Sequence, residues 1–135
     1  LKKHIVLERT PDSFGKFVSK AEYFDLMQRS KICLNLRGAA DRGKTMRAYE
    51  IPYVGSFMLS QVIDDHGMIE DFEDDFHCRY FADEKELDEQ ISFLLDVGGG
   101  EHVREWITEK GHIRATTELS VKSRWADVLK WLDNG

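Results

Sequence analysis

Apolar positions along the 135-residue chain fall into short blocks whose spacing switches between helical and strand-like periods. Ser19 stands three residues before Glu22, the spacing of a capping box. Tyr23, Phe24 and Met27 then give the helix that follows one apolar face, down to about Arg29. The run KICLNL, residues 31–36, is compact, apolar and rich in strand formers, and its length suits a buried parallel strand. A short strand is also expected over residues 4–7. Residues 37–44, with Gly38 and Gly43, read as a loop, and a helix is expected from about Thr45. Pro52 lacks an N–H and crowds the preceding turn, so that helix should end or bend around Ile51, with Gly55 as its stop.

SFMLS, residues 56–60, reads as a second buried strand, and HCRYF, residues 77–81, as a third. Between them, residues 64–76 read as an acidic surface stretch. Asp83 with Glu86 starts a helix whose apolar positions are Leu87, Ile91, Leu94 and Leu95, and Gly98-Gly99-Gly100 is expected to close it. Residues 101–117 form another predicted helix with Val103, Trp106 and Ile107 inward. Gly111 weakens it by about 1 kcal/mol relative to Ala. Ser120 opens a last helix with a clean stripe of Val121, Trp125, Val128, Leu129 and Leu132. Trp106 and Trp125 are expected in the core. Trp131, off the stripe, is expected to cover a neighbouring domain.

Strands alternating with helices predict an α/β fold with a parallel sheet covered by helices on both faces. The length fits one domain, residues 1–135, with no repeat and no dividing linker. Hydrophobic residues make up 41% and charged residues 33%, an ordinary soluble mixture. No apolar run reaches the roughly 20 residues that span a bilayer, and no leader peptide is visible. The chain begins with Leu1, which is read as an excerpt of a longer protein or a processed one. Cys33 and Cys78 are expected to be reduced, buried thiols of a cytoplasmic protein, since a disulfide scaffold of this size needs more cysteines.

Charge changes the picture at one place. The chain carries −6, which disfavours nucleic acid as a partner. Yet residues 37–47 hold Arg37, Arg42, Lys44 and Arg47 against the single acid Asp41, while residues 64–75 hold seven acids and no Lys or Arg. In an open parallel sheet the loop after a strand lies at the carboxyl edge, where ligands bind. The following helix would direct free N–H groups and its positive dipole end there. Gly43 permits close backbone approach. Together these features suit a phosphate or diphosphate. The dipole contributes only about 0.3–1 kcal/mol, so the basic side chains must supply most of the attraction. A solvated basic loop paired with the downstream acids remains the plain alternative.

The segment GAADRGKT, residues 38–45, also fits the phosphate-loop pattern G-x-x-x-x-G-K-[ST]. A nucleotide hydrolase of that kind needs a further acid at a strand end. Only Asp83 comes close, and it is better used as a helix cap. The histidines have no metal-ligand spacing with the cysteines, and the acidic stretch lacks a calcium-loop pattern. A phosphorylatable receiver domain would need an acid where Asn35 and Arg37 stand.

From Tyr23 to Leu132 the sequence resembles the C-terminal half of a GT-B glycosyltransferase, of the group-1 type allied to CgeB-like spore-maturation proteins. The resemblance rests on YFDLMQRSKICLNLRG, RAYEIPYVGSFMLS, YFADEKELDEQISFLL and GHIRATTELSVKSRWADVLKWL, in that order. It implies a Rossmann-like three-layer αβα domain that holds a nucleotide-diphosphate sugar, with no bound metal. An N-terminal acceptor domain would lie elsewhere in the parent chain. It implies that Glu50 contacts the ribose hydroxyls and that the turn around Arg42, Gly43, Lys44 and Arg47 lies against the diphosphate. Arg37 and Asn35 are further contacts. Many retaining relatives carry two glutamates separated by seven residues; here the first position is Arg42. A carboxylate at position 50 paired only with Arg47, and a non-catalytic α/β interaction or nucleotide-binding module, are the alternatives.

Overall fold

The computed structural model describes residues 19–36, 45–62 and 71–134. The strand expected over residues 4–7, the loop 37–44 and the first part of the acidic stretch lie outside them. The described chain runs α1 (Lys20–Arg29), β1 (Cys33–Asn35), α2 (Arg47–Tyr53), β2 (Met58–Gln61), β3 (Arg79–Phe81), α3 (Glu84–Leu94), α4 (Gly100–Thr116) and α5 (Val121–Asn134). The three strands form one parallel sheet in the order β1-β2-β3. Cys33 pairs with Met58 and Asn35 with Ser60, while Leu59 pairs with Arg79 and Gln61 with Phe81.

Strand alternation sorts the core into two layers. On one face Met58, Cys78 and Tyr80 pack with Met27 of α1, Ala48 and Ile51 of α2, Phe72 and Ala115. On the other, Leu59 and Phe81 pack with Phe57, Ile91 and Leu94 of α3, and Ile107 of α4. The predicted α/β architecture, with helices on both faces of a parallel sheet, is therefore the observed one. Both cysteines are free thiols in this layered interior; burial raises the Cys33 thiol above its usual range and pushes Cys78 up to about 12.

The start signals are used as expected. Ser19 and Glu22 exchange both capping-box bonds at the head of α1. The Asp83 carboxylate accepts the Glu86 N–H at 2.9 Å, and Ser120 Oγ accepts the Ser123 N–H at 3.1 Å.

Several expectations need correcting. α2 ends at Tyr53, close to the expected stop, but carries Pro52 inside its last turn. Gly55, at φ 81°, then reverses the chain, with its N–H bonded to Pro52 O and the Ser56 N–H to Ile51 O. Gly100 does not close α3 but opens α4, where a Cβ would sit 1.7 Å from Phe93 O. The end of the acidic stretch is exposed over residues 73–76, as expected, but not at residues 71 and 72. Phe72 is fully buried, and Asp71 accepts from Tyr49 Oη at 2.5 Å and from Arg124 at 3.2 Å. Trp106 is 44% exposed and packs edge-to-face with Phe76. The whole stripe of α5 faces outward, with Trp125 61% exposed.

α4 ties both layers together at the lower end of the sheet. Arg104 is buried and bonds to Leu94 O at the end of α3. Further along, His112 Nδ1 lies 3.1 Å from Pro52 O, and Gly111 lies against His77 O. Pro52 and His77 directly precede β2 and β3, so α4 packs at the N-terminal rim and leaves the C-terminal rim to the loops.

Candidate functional site

The C-terminal rim is organised by one hydrogen-bonded chain. Asn35 is fully buried at the end of β1. Its Nδ2 donates to Ser60 Oγ at 3.0 Å, and its Oδ1 accepts from Thr45 Oγ1 at 2.7 Å. Ser60 Oγ in turn donates to Gln61 O at 3.1 Å. The register explains this: Asn35 and Ser60 are direct partners, so their side chains stand side by side on the α2 face. Each end of the Asn35 carboxamide thus has a partner within the chain. Asn35 acts as a bolt that fastens Thr45, the residue after the basic loop, to the strand on which that loop begins. Sequence reasoning proposed Asn35 as a ligand contact; the structure places it beneath the rim, shaping the site from below.

Thr45 leads straight into α2, which carries the two other described candidates. Arg47 is exposed and Glu50 half-buried. They lie three residues apart, on adjacent turns of one helix face. No ion pair joins them among the described residues. The Glu50 carboxylate is instead held from another helix: Tyr23 Oη of α1 donates to Glu50 Oε2 at 3.0 Å. Burial and the carboxylate push the Tyr23 phenol up to about 12, so it remains a donor at neutral pH; Arg47 opposes that rise, which places its charge in the same neighbourhood. Arg37, Arg42, Gly43 and Lys44 lie outside the described residues.

Two features of the site were not foreseen. Tyr23 was read only as part of an apolar helix face; its hydroxyl made it a possible carboxylate partner, but nothing in the spacing pointed across to residue 50. The expected free amides are the second. The N–H groups of Ala48, Tyr49 and Glu50 already donate to Thr45 O and Met46 O. At seven residues, α2 is also too short to present much of a macrodipole. Among the described residues, the first turn of α2 therefore offers few free amides to an anion.

Among the described residues only Tyr23 donates to half-buried Glu50, which leaves three of its four lone-pair directions. A carboxylate so placed can accept from two neighbouring hydroxyls, while Arg47 offers five N–H donors toward an oxyanion. Thr45 donates its hydroxyl proton to Asn35, which fixes the start of α2 to β1. Among the described residues no cluster of His, Cys, Asp and Glu could hold a metal ion, and no helix is long and apolar enough to cross a membrane.

Comparison with known proteins gives one family. The model of a family described as glycosyl transferase-like matches residues 3–130, nearly the whole chain. No curated protein and no solved structure matches.

Proposed function

The chain belongs to the glycosyl transferase-like family, and from that premise we propose that it is the donor-binding domain of a two-domain GT-B glycosyltransferase, CgeB-like, that holds a nucleotide-diphosphate sugar at the C-terminal rim of its sheet. The observation that carries this reading is the half-buried Glu50, oriented by Tyr23 and set one turn from exposed Arg47 on the helix that follows the basic loop. In this reading Glu50 accepts from the ribose hydroxyls. Arg47 meets the diphosphate together with Lys44, Arg42 and Arg37, and Gly43 lets the backbone come close.

Transfer breaks the bond between the sugar's anomeric carbon and the diphosphate as the acceptor oxygen bonds to that carbon. Negative charge grows on the departing diphosphate, and fixed cations stabilise it more in the transition state than in the ground state. This is the role proposed for the Arg42–Arg47 turn, and it takes the place that a metal ion fills in other phosphoryl-leaving chemistry. Arg42, standing where retaining relatives carry a carboxylate, adds to that positive charge. The acceptor, and any base that deprotonates it, belong to a domain outside this chain. The outward apolar stripe of α5 supports such a neighbour, since solvated stripes of this kind mark interaction surfaces. The same stripe also suits an interaction module that has lost catalysis.

Calorimetric titration with UDP, GDP and ADP tests the site. The expected result is saturable binding of at least one of them below millimolar concentration, weakened about tenfold or more by Glu50→Ala, as expected for hydrogen bonds to a charged group. Failure of all three to bind at millimolar concentration overturns the reading in favour of the module.

A further inference from the structure

We propose that Tyr23 is a positioning residue for this site, holding the Glu50 carboxylate in the orientation that selects a ribonucleotide by its two sugar hydroxyls; this rests on the donor-binding reading above. A glutamate on the exposed side of a short helix has three freely rotating side-chain bonds. It can also turn toward Arg47, three residues back on the same face. In this fold it does neither. The Tyr23 hydroxyl, on a different helix, donates to Oε2 at 3.0 Å and fixes the carboxylate plane. The tyrosine is itself immobilised: its ring packs on Phe24 at 5.4 Å between centroids and borders the buried cluster that contains Met27, Ala48 and Ile51. The donor therefore sits on the packed α1–α2 layer and holds a half-buried carboxylate from a different helix.

Three consequences follow from that geometry. Among the described residues no other donor takes Oε1, and Oε2 keeps one lone-pair direction, so two adjacent hydroxyls can be met at once. The cost of ordering the side chain is met on folding rather than on binding, which is how preorganisation raises affinity. The proton in this pair resides on the phenol, whose affinity for it is raised by burial and by the carboxylate, so Tyr23 stays the donor. A sugar lacking its hydroxyls gains nothing from this arrangement, so the pair discriminates as well as binds.

The test is a double-mutant cycle on the full chain, read by calorimetry. The probe is whichever of UDP, GDP and ADP binds tightest, together with its 2′,3′-dideoxy counterpart. Tyr23→Phe keeps the ring and its contact with Phe24 and removes only the donor; thermal unfolding checks that the fold is kept. The expected outcome is a roughly three- to tenfold loss of ribonucleotide affinity in Tyr23→Phe. Dideoxynucleotide affinity should stay unchanged, and the variant should have no further effect once Glu50→Ala is present. A Tyr23→Phe variant that binds the ribonucleotide like the parent, or whose loss adds in full to that of Glu50→Ala, overturns the positioning role and leaves the donor site standing. Absence of nucleotide binding by the parent chain overturns the site and this role together.

Discussion

A methyl group added at Gly111 would lie 2.4 Å from the His77 carbonyl oxygen, closer than carbon and oxygen can approach. Helix propensity alone predicts that Gly111→Ala stabilises α4 by about 1 kcal/mol. The contact reverses the sign, because backbone on both sides must move apart and overpacking of this kind costs about 1–3 kcal/mol. We expect Gly111→Ala to lower the urea midpoint; a rise would show that α4 stands further from the sheet than described. Next to this contact, His77 Nδ1 accepts the Glu73 N–H at 3.0 Å, which requires a neutral imidazole. Burial lowers the His77 pKa, Arg114 lowers it further, and Glu73 works against both. The unfolded chain therefore takes up this proton at higher pH than the folded one. The stability contribution is full above the ordinary histidine value of about 6.5 and is lost as pH falls through the lower folded value. Urea midpoints at pH 7.5 and 5.5 should differ less in His77→Asn than in the parent; an unchanged difference assigns the pH dependence elsewhere.

Among the elements, α2 and α5 show how local rules and tertiary packing divide the work. Pro52 was expected to end or bend α2 around Ile51, and the helix closes at Tyr53, one residue past the proline. In so short a helix the proline interrupts little of the bonding ladder, and it is fully buried in the layer beside α4. Packing thus outweighs the lost bond. The apolar stripe of α5 was legible as a stripe, but periodicity reports only that one side of a helix is apolar. What covers that side depends on where the helix is held, and here its hold is polar, through Arg124 on Asp71. The prediction is a contrast between helices. Trp125→Ala and Leu132→Ala should each change unfolding free energy by no more than about 0.5–1 kcal/mol, as surface substitutions do. Ile107→Ala, from a side chain that is 1% exposed, should cost about 2–5 kcal/mol. A large loss from Trp125→Ala would place α5 in the core after all.

For the whole molecule, the decisive feature is that one parallel sheet separates two rims. α4 packs at the lower rim through Gly111 and His112, and the upper rim carries Asn35, Thr45, Arg47 and Glu50. The strand blocks, the helix caps at Ser19, Asp83 and Ser120, and the α/β class follow from sequence alone. They depend on neighbours a few residues away, and the chain writes those neighbours out in order. Glu50 and Arg47 could also be singled out there, since their residue types and their place after a strand and a basic loop are local facts. Only the tertiary structure decided that Tyr23 orients Glu50, that Asn35 is a buried bolt, that Asp71 is a latch, and that Trp106 and the α5 stripe face outward. Each of those depends on which distant segment lies opposite a side chain, and that is fixed by strand register and helix packing, to which the spacing of residues along one segment is blind.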